Sequence, residues 1–182
     1  MDEKKLYEEV LSKQVIHTGR IFRVERWQAR LVNEKIATRE IVIHNGASAI
    51  VPVDAQGQVT LVKQYRIAAG KCLLEIPAGK KDSPDEDFLL CAQRELSEET
   101  GLEAKSWKHL TTLHTSPGFV TETIGLFLAT DLTQGATHPD EDEFLNLVRM
   151  PLKDAVDMVM RGEITDSKTI CGLLMAWQIL GK

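Results

Sequence analysis

GKKDSPDEDFLLCAQRELSEETGL, from Gly79 to Leu102, decides how this chain is read. Within it Glu95 and Glu99 lie one helical turn apart and Glu98 lies three residues from Glu95, so three carboxylates project from neighbouring faces of one helix. Ser83-Pro84-Asp85-Glu86 reads as a capping box, with Ser83 at the N-cap, Pro84 at the first helical position and Glu86 reaching back. Phe88, Leu89, Ala92 and Leu96 then recur at helical spacing as a buried stripe, and Gly101 supplies the left-handed stop. Acidic residues on a helix are ordinarily a solvated face, and Glu98 can pair with Arg94 for about 0.3 kcal/mol. These carboxylates, however, crowd the C-terminal end, where the helix dipole disfavours negative charge. Helix stability does not account for them; a hard divalent cation or basic side chains would neutralise them, and the sharp reading is Mg²⁺, which prefers oxygen ligands.

On either side of this helix the sequence reads as strands. Ile21 to Arg30 and Lys35 to His44, joined by a turn at Val32-Asn33-Glu34, predict a small antiparallel sheet in residues 1–45. The apolar runs Ala47 to Val53 and Val59 to Gln64 flank Asp54-Ala55-Gln56-Gly57, which predicts a hairpin. Cys72 to Ile76 is a short strand leading through Pro77-Ala78-Gly79 into the acidic helix, and further strands are expected at Trp107 to Thr115, Thr123 to Thr130 and Phe144 to Met150. Two helices follow. Pro151 opens one with Leu152, Ala155, Val156 and Val159 on a face, ended at Gly162, and Ile170, Leu173, Leu174 and Trp177 stripe the other. Strands interrupted by one acidic helix and closed by two apolar-faced ones predict an α/β fold with a mixed sheet covered on both faces over residues 46–182.

Composition narrows the function classes. At 182 residues and 43% hydrophobic content the chain can bury a full core. A formal charge of -5 argues against a broad nucleic-acid-binding surface, which needs clustered Lys and Arg. A small anionic substrate stays compatible, because a bound metal inverts the local field. Cys72, Cys91 and Cys171 are odd in number and lack paired spacing, so they read as free thiols in a reducing compartment rather than a zinc site. His17, His44, His109, His114 and His138 likewise show no metal-ligand spacing. MDEKKLYEEV lacks the apolar core of a signal peptide, and no run approaches the roughly 20 apolar residues of a membrane span. A soluble cytoplasmic protein, with no membrane partner, is the expectation.

The same stretch resembles the Nudix box, G-x5-E-x7-R-E-U-x-E-E-x-G-U with U a bulky aliphatic residue. Arg94, Glu95, Leu96, Glu98, Glu99, Gly101 and Leu102 match its second half, and Glu86 lies the required distance before Arg94. Six residues instead of five separate Gly79 from Glu86; the insertion lengthens a loop at small entropic cost and weakens the case for Gly79 rather than for the glutamates. The resemblance implies a Nudix α/β/α sandwich with a mixed sheet, Mg²⁺ held by Glu95, Glu98, Glu99 and the Ala78 carbonyl with Mn²⁺ as substitute, and carboxylates oriented by Arg94 with Glu86, unless Glu86 serves only as a cap. Val62-Lys63-Gln64-Tyr65-Arg66 ahead of Leu74-Glu75-Ile76-Pro77-Ala78-Gly79, and Pro117 sixteen residues beyond Gly101, are similar to the ADP-ribose pyrophosphatase branch.

That branch implies a homodimer which hydrolyses ADP-ribose to AMP and ribose 5-phosphate. The general base it implies falls in Pro139-Asp140-Glu141-Asp142-Glu143-Phe144, with Glu143 the first choice, Glu141 the alternate and Glu98 a competitor; an acidic loop is otherwise solvated charge. Arg66 corresponds to an arginine that meets phosphates, a task suited to its planar fork, or else forms a surface ion pair. Arg39 and Glu40 match a stretch holding adenine, often across the dimer interface. Phe22 or Trp27 either stacks on the base or packs, and Phe119 and Glu122 are candidates for the terminal ribose pocket. Two other readings stay open: a pyrophosphatase for another nucleoside diphosphate sugar such as GDP-mannose, and a non-catalytic sensor on the same fold. Sensors commonly lose box glutamates, which this chain keeps.

Overall fold

The computed structural model describes residues 6–135 and 145–181. Its elements are β1 (Glu9–Thr18), β2 (Arg23–Arg30), β3 (Ile36–Ile43), β4 (Ala47–Pro52), β5 (Gln58–Arg66), β6 (Lys71–Glu75), β7 (Ala78–Lys80), α1 (Phe88–Thr100), β8 (Leu102–His114), β9 (Thr123–Gln134), β10 (Leu145–Pro151), α2 (Leu152–Met160) and α3 (Ser167–Leu180). They divide into two compact units. The first comprises the chain up to Gly46 with His114–Thr123, and the second comprises Ala47–Leu113 and Ile124–Lys182.

The second unit is built around β4, all six of whose residues are buried. Such a continuous apolar run is what a strand covered on both faces requires. Its alternation divides the core: Ala47, Ala49 and Val51 join Ile124, Leu126 and Leu128 of β9 under Leu152, Ala155 and Val156 of α2 and Leu173 and Ala176 of α3. Ile50, Phe127 and Ala129 face the other way, onto Ala92 and Leu96 of α1. The sheet order β7-β4-β9-β8 is mixed, because β4 runs parallel to β9 and antiparallel to β7. Helices on both faces of a mixed sheet make the expected α/β/α sandwich, with a second sheet, β10-β5-β6, beside it.

The hairpin expectation fails in its pairing. The Asp54 turn forms, with the carboxylate accepting from Gln56 N and Gln58 N. The strands it joins enter different sheets and, among the described residues, share only the Val53–Val59 bridge. The α3 stripe also differs at Leu174, which is 37% exposed, whereas Gly172 is buried. A side chain at Gly172 would place a Cβ 2.8 Å from Val51 and 3.1 Å from Ile76, so only glycine lets α3 approach the sheet this closely.

The first unit contains an antiparallel sheet in the order β1-β2-β3. The expected strands β2 and β3 are present and joined at Glu34, which takes a left-handed φ of 63°. β1 was not foreseen. Register shifts between Val10 and Ser12 and between Val15 and His17 break the alternation by which a strand is recognised. The returning segment adds a parallel bridge, Val42 to Val120, with Val42 N donating to Phe119 O and Thr121 N to Val42 O.

Candidate functional site

The acidic helix begins four residues later than its sequence signals. Asp87, not Ser83, is the N-cap: its carboxylate accepts from Leu89 N at 2.8 Å and Leu90 N at 3.2 Å. Pro84 lies in a turn, where Lys81 Nζ donates to its carbonyl. Glu86 still reaches back, but to Asp82 N at 2.7 Å, closing the lengthened loop on itself. The extra residue is thus absorbed ahead of α1 without disturbing the helical offsets. Gly101 ends the helix with φ 65°, its N–H on Ser97 O, as its sequence position predicted.

Four acids converge on the Arg94 guanidinium. Nη1 donates to Glu95 Oε1 at 2.7 Å and to Glu98 Oε2 at 3.1 Å. Nη2 donates to Lys80 O at 3.1 Å and faces Glu86 Oε1 at 3.4 Å, while Asp82 Oδ2 lies 3.7 Å from Nε. Burial works against the charge of Arg94, yet the neighbouring Glu95 outweighs it, so the guanidinium binds its proton more tightly than a free arginine. Glu95 and Glu99 are both buried, at 7% and 4% exposure. Glu99 Oε2 accepts from Ala78 N at 3.0 Å.

Gly79 is more central than the insertion implied. A Cβ there would fall 2.0 Å from Glu95 Cδ, so the Glu95 carboxylate lies directly against the glycine backbone. Ser48 and Ala49 of β4 pair with Gly79 and Ala78, and Ile50 N donates to Pro77 O. The loop beneath the glutamates is therefore fixed to the most buried strand of the unit.

Among the described residues no group of three or more His, Cys, Asp or Glu side chains is gathered around a metal position. In this conformation Arg94 holds Glu95 and Glu98 while the Ala78 N–H holds Glu99. The donor set nevertheless fits a hard cation: every candidate ligand is oxygen, and one guanidinium faces four carboxylates. Glu95 and Glu99 are buried, Glu86 and Glu98 half-buried and Asp82 exposed, and acids crowded in this way favour a further positive charge.

Beside this cluster lies a second network that sequence reasoning missed. Arg66, at the end of β5, donates from Nε and Nη2 to the two oxygens of Glu75, both at 2.8 Å. Glu75 is 1% exposed and also accepts from Lys168 Nζ. Burial opposes its ionisation, but the Arg66 hydrogen bonds and the Lys168 charge prevail and hold its carboxyl below the usual range. Lys168 donates as well to Asp166 Oδ2 at 3.0 Å, and Asp166, the α3 N-cap, accepts from Thr169 N and Thr169 Oγ1. Thr169 Oγ1 in turn accepts from Ile76 N at 2.9 Å. The available signal was a glutamate inside the apolar strand Leu74-Glu75-Ile76, since a charge so placed demands a partner.

Further candidates lie in the first unit. Arg39 is held by Glu8 at 2.7 and 3.1 Å, and Glu40 by Arg26 at 3.1 Å. Trp27 donates to Glu25 at 2.7 Å and carries the Lys13 ammonium 4.2 Å from its ring centroid, so one face is already covered. Phe22 is exposed beside His17. Phe119 is 55% exposed, and Glu122 lies 3.4 Å from His44 Nδ1. Glu141 and Glu143 lie outside the described residues. In the second unit a cavity of about 500 Å³ between the Asp54 turn and Trp177 includes none of the candidates, whereas one of about 390 Å³ between α1 and β8 borders Arg94.

Comparison with known proteins finds relatives along most of the chain. An ADP-ribose pyrophosphatase of Mycobacterium tuberculosis (strain ATCC 25618 / H37Rv) is 42% identical over 170 residues, covering 91% of this chain and 81% of that protein. One from Bacillus subtilis (strain 168) is 38% identical over 168 residues, covering 91% and 90%. The crystal structure of an ADP compounds hydrolase aligns with a TM-score of 0.85 at 25% identity, over 97% of this chain and 96% of that one. The NUDIX domain model matches residues 43–171, which span the buried strand, the loop at Gly79, the Arg94 cluster and the Arg66 network. By that match and those identities, the chain belongs to the NUDIX family.

Proposed function

We propose that this chain is a Mg²⁺-dependent pyrophosphohydrolase that cleaves ADP-ribose to AMP and ribose 5-phosphate. The observation that carries the reading is the excess of carboxylates over cations around Arg94, with Glu95 and Glu99 buried, beside a loop fixed by β4. The similarity to two proteins named ADP-ribose pyrophosphatase supports the choice of substrate. Glu95, Glu98, Glu99 and the Ala78 carbonyl would hold Mg²⁺, with Mn²⁺ able to substitute. Such an ion screens the charge of the diphosphate and lowers the pKa of bound water.

The chain's own groups supply the rest. Arg94 holds Glu95 and Glu98 in the positions from which they would bind a cation. Arg66 meets a phosphate oxygen, and substrate contacts in the first unit are assigned to Arg39, Glu40, Phe119 and Glu122. Exposed ion pairs such as Arg39–Glu8 contribute little and yield readily to a ligand. A glutamate takes the proton of the attacking water, with Glu143 preferred over Glu141 and Glu98. Three free thiols suit a reducing, cytoplasmic setting. Among the described residues no helix is long and apolar enough to cross a membrane.

The test is a panel of ADP-ribose, GDP-mannose and other nucleotide sugars, assayed for phosphate-ester products with Mg²⁺, with Mn²⁺ and with chelator. ADP-ribose is expected to give the highest kcat/KM, and chelator to abolish turnover. A higher kcat/KM for GDP-mannose overturns the substrate; full activity in chelator overturns the metal.

We also infer a homodimer built on the first unit. All ten residues of β1 are exposed, including Val10, Leu11, Val15 and Ile16, and β1 is an outer strand of its sheet. An outer strand this long and apolar invites another chain to cover it. Sedimentation velocity at micromolar concentration is expected to give twice the 20.4 kDa chain mass, and Val15→Lys with Ile16→Glu to shift it to monomer. A wild-type monomer under those conditions removes the inference.

A further inference from the structure

A positively charged side chain buried 93 residues away in sequence from its carboxylate partner needs a reason, because paired burial of charge rarely improves stability over apolar packing. Lys168 is 8% exposed and Glu75 1%. Their link extends to a single outlet. Glu75 engages Nε and Nη2 of Arg66, which leaves Nη1 with no hydrogen bond among the described residues on a side chain that is 42% exposed. At the inner end Lys168 is itself fixed by Asp166, which caps α3 and grips Thr169. A rigid helix end thus sets a lysine, the lysine sets a carboxylate, and the carboxylate sets one edge of a guanidinium whose other edge faces outward. Glu99 is close enough for its charge to be felt at Arg66, which puts the arginine in the neighbourhood of the carboxylate cluster.

We propose that Lys168, acting through Glu75, is a positioning residue that presents the outer edge of Arg66 to a phosphate of the substrate. This rests on the reading of Arg66 as a phosphate contact. The physical gain lies in preorganisation: a guanidinium held by two parallel hydrogen bonds loses little rotamer freedom when it takes a third partner. Lys168 also donates to the same Glu75 oxygen that Arg66 Nη2 engages, so it fixes the carboxylate against which the guanidinium lies.

The experiment is a kinetic double-mutant cycle on the full chain with ADP-ribose and Mg²⁺. Lys168→Met is expected to raise KM about ten-fold, the size of one charge-assisted contact, and to change kcat less than about two-fold. In an Arg66→Ala background the same substitution is expected to leave KM where Arg66→Ala put it, because a residue acting through another is silent once that other is gone. Lys168→Met leaves the Asp166 carboxylate without its lysine partner. If its melting curve shows it unfolded, the charge-balanced pair Glu75→Gln with Lys168→Met replaces it in the same cycle. An unchanged KM, a loss confined to kcat, or effects that simply add all overturn the positioning role while Arg66 keeps its own. If Arg66→Ala itself leaves KM unchanged, the phosphate contact and this inference fall together.

Discussion

Glu99→Gln is expected to lower kcat about a thousand-fold, roughly 4 kcal/mol of transition-state stabilisation, and to leave the melting temperature unchanged or slightly higher. The separation follows from where Glu99 stands. It is buried, and its Oε2 accepts the Ala78 N–H, a bond that a glutamine carbonyl reproduces with nearly the same shape. That hydrogen bond is therefore kept. Folding loses a buried negative charge in a cluster where one guanidinium already faces four other acids, so relief of repulsion opposes any packing loss. What the amide cannot supply is an anionic oxygen for a divalent cation. Steady-state kinetics and thermal melting on the same preparation decide the matter. Wild-type turnover in Glu99→Gln would remove the metal role, and a collapse of the melting temperature in step with activity would make Glu99 a structural residue.

The parts of this fold legible in sequence are those set by short-range spacing. Helical offsets place Arg94, Glu95, Glu98 and Glu99 together whatever surrounds them, and the stripe Phe88, Leu89, Ala92 and Leu96 could bury on only one side. The α1 start was misjudged because two acceptors competed within five residues. Ser83 heads a good capping pattern, but Asp87 takes two N–H groups and is preceded by a proline turn. Partner choice was the harder problem. Nothing local in Ala47 to Pro52 says that it pairs with Thr123–Gln134 rather than with the strand that follows the Asp54 turn. The Glu75–Lys168 bond is equally non-local. For β1 the cause differs: its two irregularities put apolar residues side by side, so that Val10-Leu11 and Val15-Ile16 lack the strand period.

Gly79 is the residue about which sequence and structure differ most, and its substitution has the second large expected effect. The extra residue before Glu86 seemed to loosen its role, yet the insertion is taken up by the turn from Asp82 to Glu86 and Gly79 stays paired with Ser48. Gly79→Ala would set a methyl group 2.0 Å from Glu95 Cδ and 2.1 Å from both carboxylate oxygens. No such contact survives, so something must move. The backbone is held by β4, whereas the colliding atoms are the end of a flexible side chain. Glu95 therefore swings aside by a rotamer change costing about 1 kcal/mol, a shift of roughly 3 °C in melting temperature at most. Its carboxylate then leaves both the Arg94 Nη1 bond and the place where a cation would meet it. Activity should fall about a hundred-fold, as displacement of one reacting group by an ångström or more typically costs. Raising Mg²⁺ should recover part of that loss, because the defect lies in cation affinity and not in substrate contacts. A Gly79→Ala protein with wild-type kcat at limiting Mg²⁺ would mean that Glu95 does its work from another position. One that melts far below wild type would mean the loop, not the side chain, had yielded.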